Sequence, residues 1–163
     1  MLSITTKGRS KGIFIPLIIL CFTLFSGCTV TMMSPYDNKT DLRIETFGKT
    51  VNSLMFHLEE LDAKQPECRY ENHVDTYRDL KVQLQTMDMH EQAKPNNTIT
   101  QQQIATLQER LNSFITDHKR ICQPAVAVSI AQKQINMMLG HILKLERNKR
   151  GARKHKLLIP GKK

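Results

Sequence analysis

A chain of 163 residues has room for one domain, and with no tryptophan, 6% aromatic residues, seven glycines and six prolines it lacks the turn residues that a sheet-rich fold needs at every reversal. The formal charge of +9 argues against a nucleic-acid-binding body once it is placed along the chain: residues 144–163 carry nine Lys or Arg against one Glu, residues 1–27 carry three cations, and residues 28–143 come to −2.

The chain opens with Lys7, Arg9 and Lys11 and no acid, then an apolar run over residues 13–25, then Ser26, Gly27 and Cys28. A basic start, a short apolar run and small residues before a cut make a secretory signal. The small residues let a peptidase pocket admit the backbone at the cut. Leu24-Phe25-Ser26-Gly27-Cys28 resembles the lipobox of bacterial lipoproteins, with Phe25 where Leu is usual. The resemblance covers residues 1–28 only. It implies that residues 1–27 are removed and that Cys28 carries a thioether diacylglycerol and an acylated (palmitate-type) amino group. Thr29, where Asp would retain the protein in the inner membrane, implies the periplasmic face of the outer membrane. Several acyl chains anchor durably where one is marginal. The alternative is an uncleaved anchor over residues 13–33, about long enough to span a bilayer. Either way the body faces the periplasm. Cys21 follows bulky Leu20 and is a poor cleavage site.

Residues 28–40 read as the lipidated cysteine and a tether, broken by Pro35 and Asp37, with Asn38 or Thr40 as helix cap. Four helical segments follow, over residues 41–148. The first, from about Asp41 to Lys64, places Ile44, Phe47, Val51, Leu54, Leu58 and Leu61 on one stripe at alternating spacings of three and four. The second, from about Glu67 to Gln92, does so with Tyr70, Val74, Tyr77, Leu80, Leu84 and Met87. The third begins at Thr100, with Gln103 completing a capping box, and aligns Ile104, Leu107, Leu111, Phe114, His118 and Ile121. The fourth, from about Ala125 to Asn148, aligns Val128, Ala131, Ile135, Met138, Ile142 and Leu145. One-sided stripes need a partner, and short connections make the partners antiparallel. The fold expected is therefore all-α, an antiparallel bundle of three or four helices, the number depending on whether Pro124 reverses the chain or kinks one long helix.

Cys68 and Cys122 lie symmetrically about Pro95 in the central loop. A hairpin turning there brings them side by side, and in an oxidising periplasm this predicts a Cys68–Cys122 disulfide, worth about 4 kcal/mol in the chain-entropy picture.

Signatures of catalysis are missing. There is no phosphate loop, Gly-x-Ser-x-Gly, His-Glu-x-x-His or Cys-x-x-Cys, and the histidines lack metal-ligand spacing, so neither enzyme activity, metal nor cofactor is expected. His118, on an apolar stripe, reads as a satisfied core histidine. Glu59, Glu60 and Asp62 read as a solvated face. Asn38-Lys39-Thr40 and Asn96-Asn97-Thr98 match the glycosylation pattern and read as loop and cap chemistry. The methionines read as packing fillers.

Gly151 reads as a helix stop and residues 149–163 as a disordered basic tail. Arg150, Arg153, Lys154 and Lys156 exceed what a helix C-terminus asks for and suit an anionic surface, a lipid phosphate or lipopolysaccharide. No stacking aromatics accompany them, so nucleic acid is not the expected partner. The whole reads as a lipid-anchored module that binds or scaffolds another envelope protein. Lipid anchor, short helices and paired cysteines resemble a pilotin, which escorts a secretin, in architecture alone. An immunity or exclusion lipoprotein is a second version. A hydrolase acting on wall or lipid, or a carrier with a site inside the bundle, is a weaker reading because the stripes offer little cleft.

Overall fold

The computed structural model describes residues 33–158, with side chains as far as Gly151. The leader, the lipobox and Cys28 lie outside the described residues. Four helices make up the structure: α1 (Asn38–Glu60), α2 (Val74–Gln92), α3 (Thr98–Arg120) and α4 (Ala125–Leu158), with two 3₁₀ turns, Pro66–Cys68 and Tyr70–His73, between α1 and α2. Among the described residues there is no strand, and no helix is long and apolar enough to cross a membrane.

The helices form a ring in which α1 packs on α2 and α4, and α3 packs on α2 and α4. Every neighbouring pair is antiparallel. Thr40 bonds to Glu91 across α1 and α2, Tyr77 to His118 across α2 and α3, Thr100 to Glu146 across α3 and α4, and Asn52 to Asn136 across α1 and α4. Pro124 therefore reverses the chain, opening α4 with its carbonyl accepting from Ala127 N–H at 2.8 Å, as suits a residue whose own N–H is missing.

The predicted stripes supply the core, including Ile44, Phe47, Leu58, Leu80, Ile104, Leu111, Ile135 and Ile142; burying one such side chain stabilises by about 1.5–3 kcal/mol. The boundaries differ from the sequence reading in instructive ways. Asp37 caps α1, its carboxylate accepting from Lys39 N–H at 3.0 Å; Thr40 is one turn inside the helix, buried against Glu91. The third helix starts at Thr98, so Thr100 is interior and the expected capping box is not its start. Ile121 is 67% exposed, because α3 ends at Arg120 and the backbone of Ile121 is extended. Gly151 does not stop α4, which carries the basic segment as helix to Leu158.

The buried positions reveal an internal repeat. The buried residues of α1 are Thr40, Ile44, Phe47, Val51, Leu54, Met55 and Leu58; those of α3 are Thr100, Ile104, Leu107, Leu111, Phe114, Ile115 and His118, each 60 positions later. The buried residues of α2, namely Tyr77, Leu80, Leu84, Met87 and Glu91, recur on α4 as Gln132, Ile135, Leu139, Ile142 and Glu146, 55 positions on. The hairpin α1–α2 and the hairpin α3–α4 thus repeat one pattern of buried positions.

Candidate functional site

Each hairpin closes with the same three residue types. In the first, Thr40 Oγ1 donates to Glu91 Oε1 at 2.6 Å, and Lys94 Nζ donates to both, at 2.6 Å to Glu91 and 2.7 Å to Thr40. In the second, Thr100 Oγ1 donates to Glu146 Oε1 at 3.1 Å, and Lys149 Nζ donates to Thr100 at 2.9 Å and to Glu146. Glu91 and Glu146 are fully buried and Lys149 is 5% exposed. Ionised groups are tolerated there only because each is paired and hydrogen-bonded. Lys149 spends its third proton on Asn97 Oδ1 at 2.7 Å. Burial alone would raise the Glu91 carboxyl; the hydrogen bonds from Lys94, Thr40 and Asn97, with the Lys94 charge, outweigh it and hold the group below 4.5.

This near end of the bundle also receives the tether. Ser34 N–H bonds to Asn96 O at 3.2 Å and Ser34 Oγ donates to Asn97 Oδ1 at 2.8 Å. Arg150 of α4 donates to the Tyr36 hydroxyl, lies over the Tyr36 ring at 4.4 Å and faces Asp41 at 3.7 Å. The predicted anionic-surface residue Arg150 is therefore exposed beside the incoming chain. Arg153, Lys154 and Lys156 continue the same helix.

The far end, where α1 joins α2 and α3 joins α4, gathers a different set. The 3₁₀ turn Pro66–Cys68 buries Cys68, and the extended step after α3 delivers Cys122, half-buried, beside it. The two meet as the hairpin symmetry about Pro95 required. The predicted disulfide is not formed: both cysteines are free, and at 2.6 Å they are not at disulfide distance, which is about 2.05 Å. Burial, with the Cys122 thiol alongside, pushes the Cys68 thiol up to about 12.

His118, in the last turn of α3, is the hub of this end. Its Nε2 bonds to Cys68 O at 2.5 Å and its Nδ1 to the Tyr77 hydroxyl at 2.5 Å. Burial lowers its pKa, against the opposing pull of the Cys68 carbonyl and the Glu71 charge. A carbonyl only accepts, so Nε2 carries the proton; the neutral ring then accepts from Tyr77 through Nδ1. The expectation of a satisfied core histidine is met. Tyr70 stacks on Tyr77 at 5.5 Å, and His73 lies 5.8 Å from His118. One atom from each of Cys68, His118 and Cys122 lies within 4.8 Å of the others. A cleft of about 290 Å³ lined by Arg69, Glu71, Lys119 and Arg120 opens onto His118 and Cys122. Spacing along the chain hid this grouping, because its members come from two loops and a helix end.

A shallow groove of about 370 Å³ runs between α1 and α2. Leu42, Val82 and the stem of Thr46 line it, with Lys39 and Arg43 at its edge; Leu42 and Val82 are more than half exposed. No protein family, no curated protein and no solved structure matches this chain.

Proposed function

We propose that the chain is a lipid-anchored helical protein of the bacterial envelope, facing the periplasm from the outer membrane through lipid on Cys28, with a binding or scaffolding role towards another envelope protein. The observation that carries the reading is the meeting of Tyr36 and Arg150. The tether that leads back to Cys28 and the helix that carries Arg153, Lys154 and Lys156 leave the bundle from one end. A membrane held by the first is within reach of the second, and each basic residue near an anionic surface contributes about 1 kcal/mol. Lipid and basic helix together supply the two signals that stable anchoring takes. The far end then stands off by the length of a 23-residue helix, about 35 Å at 1.5 Å per residue. The α1–α2 groove, apolar with cations at its edge, supports a partner that offers apolar side chains and a carboxylate.

Two experiments test the proposal. Growth with labelled palmitate should mark the native chain in the outer-membrane fraction and leave Cys28→Ala unlabelled and soluble; a labelled Cys28→Ala protein would sink the anchor. Crosslinked pull-downs from membranes should capture one envelope protein with the native chain and lose it with Val82→Glu. Capture that survives Val82→Glu but fails without residues 151–163 would move recognition to the basic helix.

A further inference from the structure

In a repeated scaffold, the positions where the copies differ in chemistry draw attention to function. Cys68 and Cys122 each follow the first helix of a hairpin, Cys68 at the end of the Pro66–Cys68 turn after α1 and Cys122 just past the end of α3, and they meet at the far end of the bundle. Around them the repeat is broken twice. The partner of His118 is Leu58, and the partner of Tyr77 is Gln132. One copy thus supplies an imidazole where the other supplies core, and places it against the thiol pair.

We infer that Cys68, Cys122 and His118 form a binding site for one d¹⁰ cation, Cu(I) or Zn(II). Thiolate and imidazole are the donors that such soft and borderline ions select. Thiolate and imidazole ligands sit at about 2.3 and 2.0 Å from zinc. The three donor atoms already lie within 4.8 Å of one another, and the closer approach of the two cysteines opens by movement of the half-buried Cys122 loop. Coordination sends the two thiol protons to solvent and replaces one of the two neutral hydrogen bonds of His118. The bond that stays, to Tyr77 or to the Cys68 carbonyl, fixes the ring, as outer partners do for metal-bound histidines. Three protein ligands leave the side facing the cleft open, the arrangement of an exchangeable site more than of a closed structural one. Arg69, Lys119 and Arg120 at the mouth offset the negative charge of a Cu(I) dithiolate.

The test uses the full lipoprotein in detergent, with its thiols kept reduced. Zn(II) and Cu(I) are each titrated against a coloured chelator of known affinity, and Co(II) serves as a spectroscopic probe. One equivalent of at least one d¹⁰ ion is expected, with a thiolate-to-cobalt charge-transfer band. Cys122→Ser, at a half-buried loop position that leaves the core intact, should weaken binding about 100-fold or more and remove the band, and His118→Gln should weaken it at least tenfold. His57→Gln, at an exposed α1 histidine whose ring lies 5.6 Å from that of His73 and outside the cysteine pair, should change nothing. Circular dichroism confirms that each variant keeps its helices. The inference is overturned by the absence of stoichiometric binding, by affinity indifferent to Cys122→Ser, or by protein isolated from cells that is two hydrogens lighter and carries no metal.

Discussion

Glu91 and Lys149 are joined through a single amide. Asn97 Nδ2 donates to Glu91 Oε2 at 2.7 Å, while its Oδ1 accepts from Lys149 Nζ at 2.7 Å. Asn97 sits in the turn between the two hairpins, so the residue that links the copies in sequence also links their buried charges. An amide is suited to this place because it offers a donor to the carboxylate and an acceptor to the ammonium.

Replacing Asn97 by Leu removes both bonds, together with those to the Glu91 carbonyl and from Ser34, and leaves two buried ion pairs short of a partner. Breaking one member of such a network costs about 3–5 kcal/mol. Urea unfolding of Asn97→Leu should show a loss in that range with little change in slope. A loss below 1 kcal/mol would mean that water replaces the amide.

The two Thr–Glu–Lys triangles should behave alike. Thr40→Val and Thr100→Val each remove a hydroxyl that donates to a buried carboxylate, worth about 1.5–3 kcal/mol. The triangles touch through Asn97, so the double variant should depart from additivity by about 0.5 kcal/mol or more. A double-mutant cycle on urea midpoints measures it; strict additivity would mean that the repeats are energetically separate.

Acid should loosen this end of the bundle. Against the effect of burial, the hydrogen bonds from Lys94, Thr40 and Asn97 and the Lys94 charge hold the folded Glu91 carboxyl below its ordinary value, and an unfolded Glu lies near 4.3. A carboxyl depressed by folding contributes its stability above the unfolded value and loses it as pH falls through the folded one. Stability should therefore be level from neutral pH to about 5 with respect to this group and fall as pH drops through the unfolded and then the lower folded value. Glu91→Gln should flatten the fall while lowering stability at neutral pH, read as urea midpoint against pH.

Gly48 lies mid-helix in α1, where a Cβ would meet Leu139 Cδ1 at 3.5 Å, an ordinary contact. Its repeat partner is Gln108, so the other copy accommodates a side chain at the same place. Gly48→Ala should stabilise by about 0.5–1 kcal/mol through helix propensity, seen as a rise in thermal midpoint. A fall would show that α1 and α4 need the closer approach.

The hydrophobic spacing made the helices legible, down to the individual core residues Ile44, Leu80, Leu111 and Ile135. It failed where residue type spoke against position. Leu84, Met87 and Glu91 continue one stripe, as do Ile142, Glu146 and Lys149, but charged residues on a stripe read as solvent-facing because burial is unfavourable until a partner is known. The partners come from other helices, so nothing in the local pattern announces them. The cysteine pair was legible as a neighbourhood from its symmetry about Pro95, and not as a bond. Ile121 kept the phase of its stripe beyond the point where the backbone straightens to deliver Cys122. Gly151 carries a C-cap preference, yet the helical residues on either side of it continue α4.

The two hairpins bury matching positions along their helices, yet they differ where their side chains meet. A polypeptide carrying only α1, its connection and α2 would present Leu58 where His118 stands, leaving the buried Tyr77 hydroxyl without the acceptor it has here. The halves are therefore not interchangeable: the first supplies Tyr77 where the second has Gln132, and the second supplies His118 where the first has Leu58.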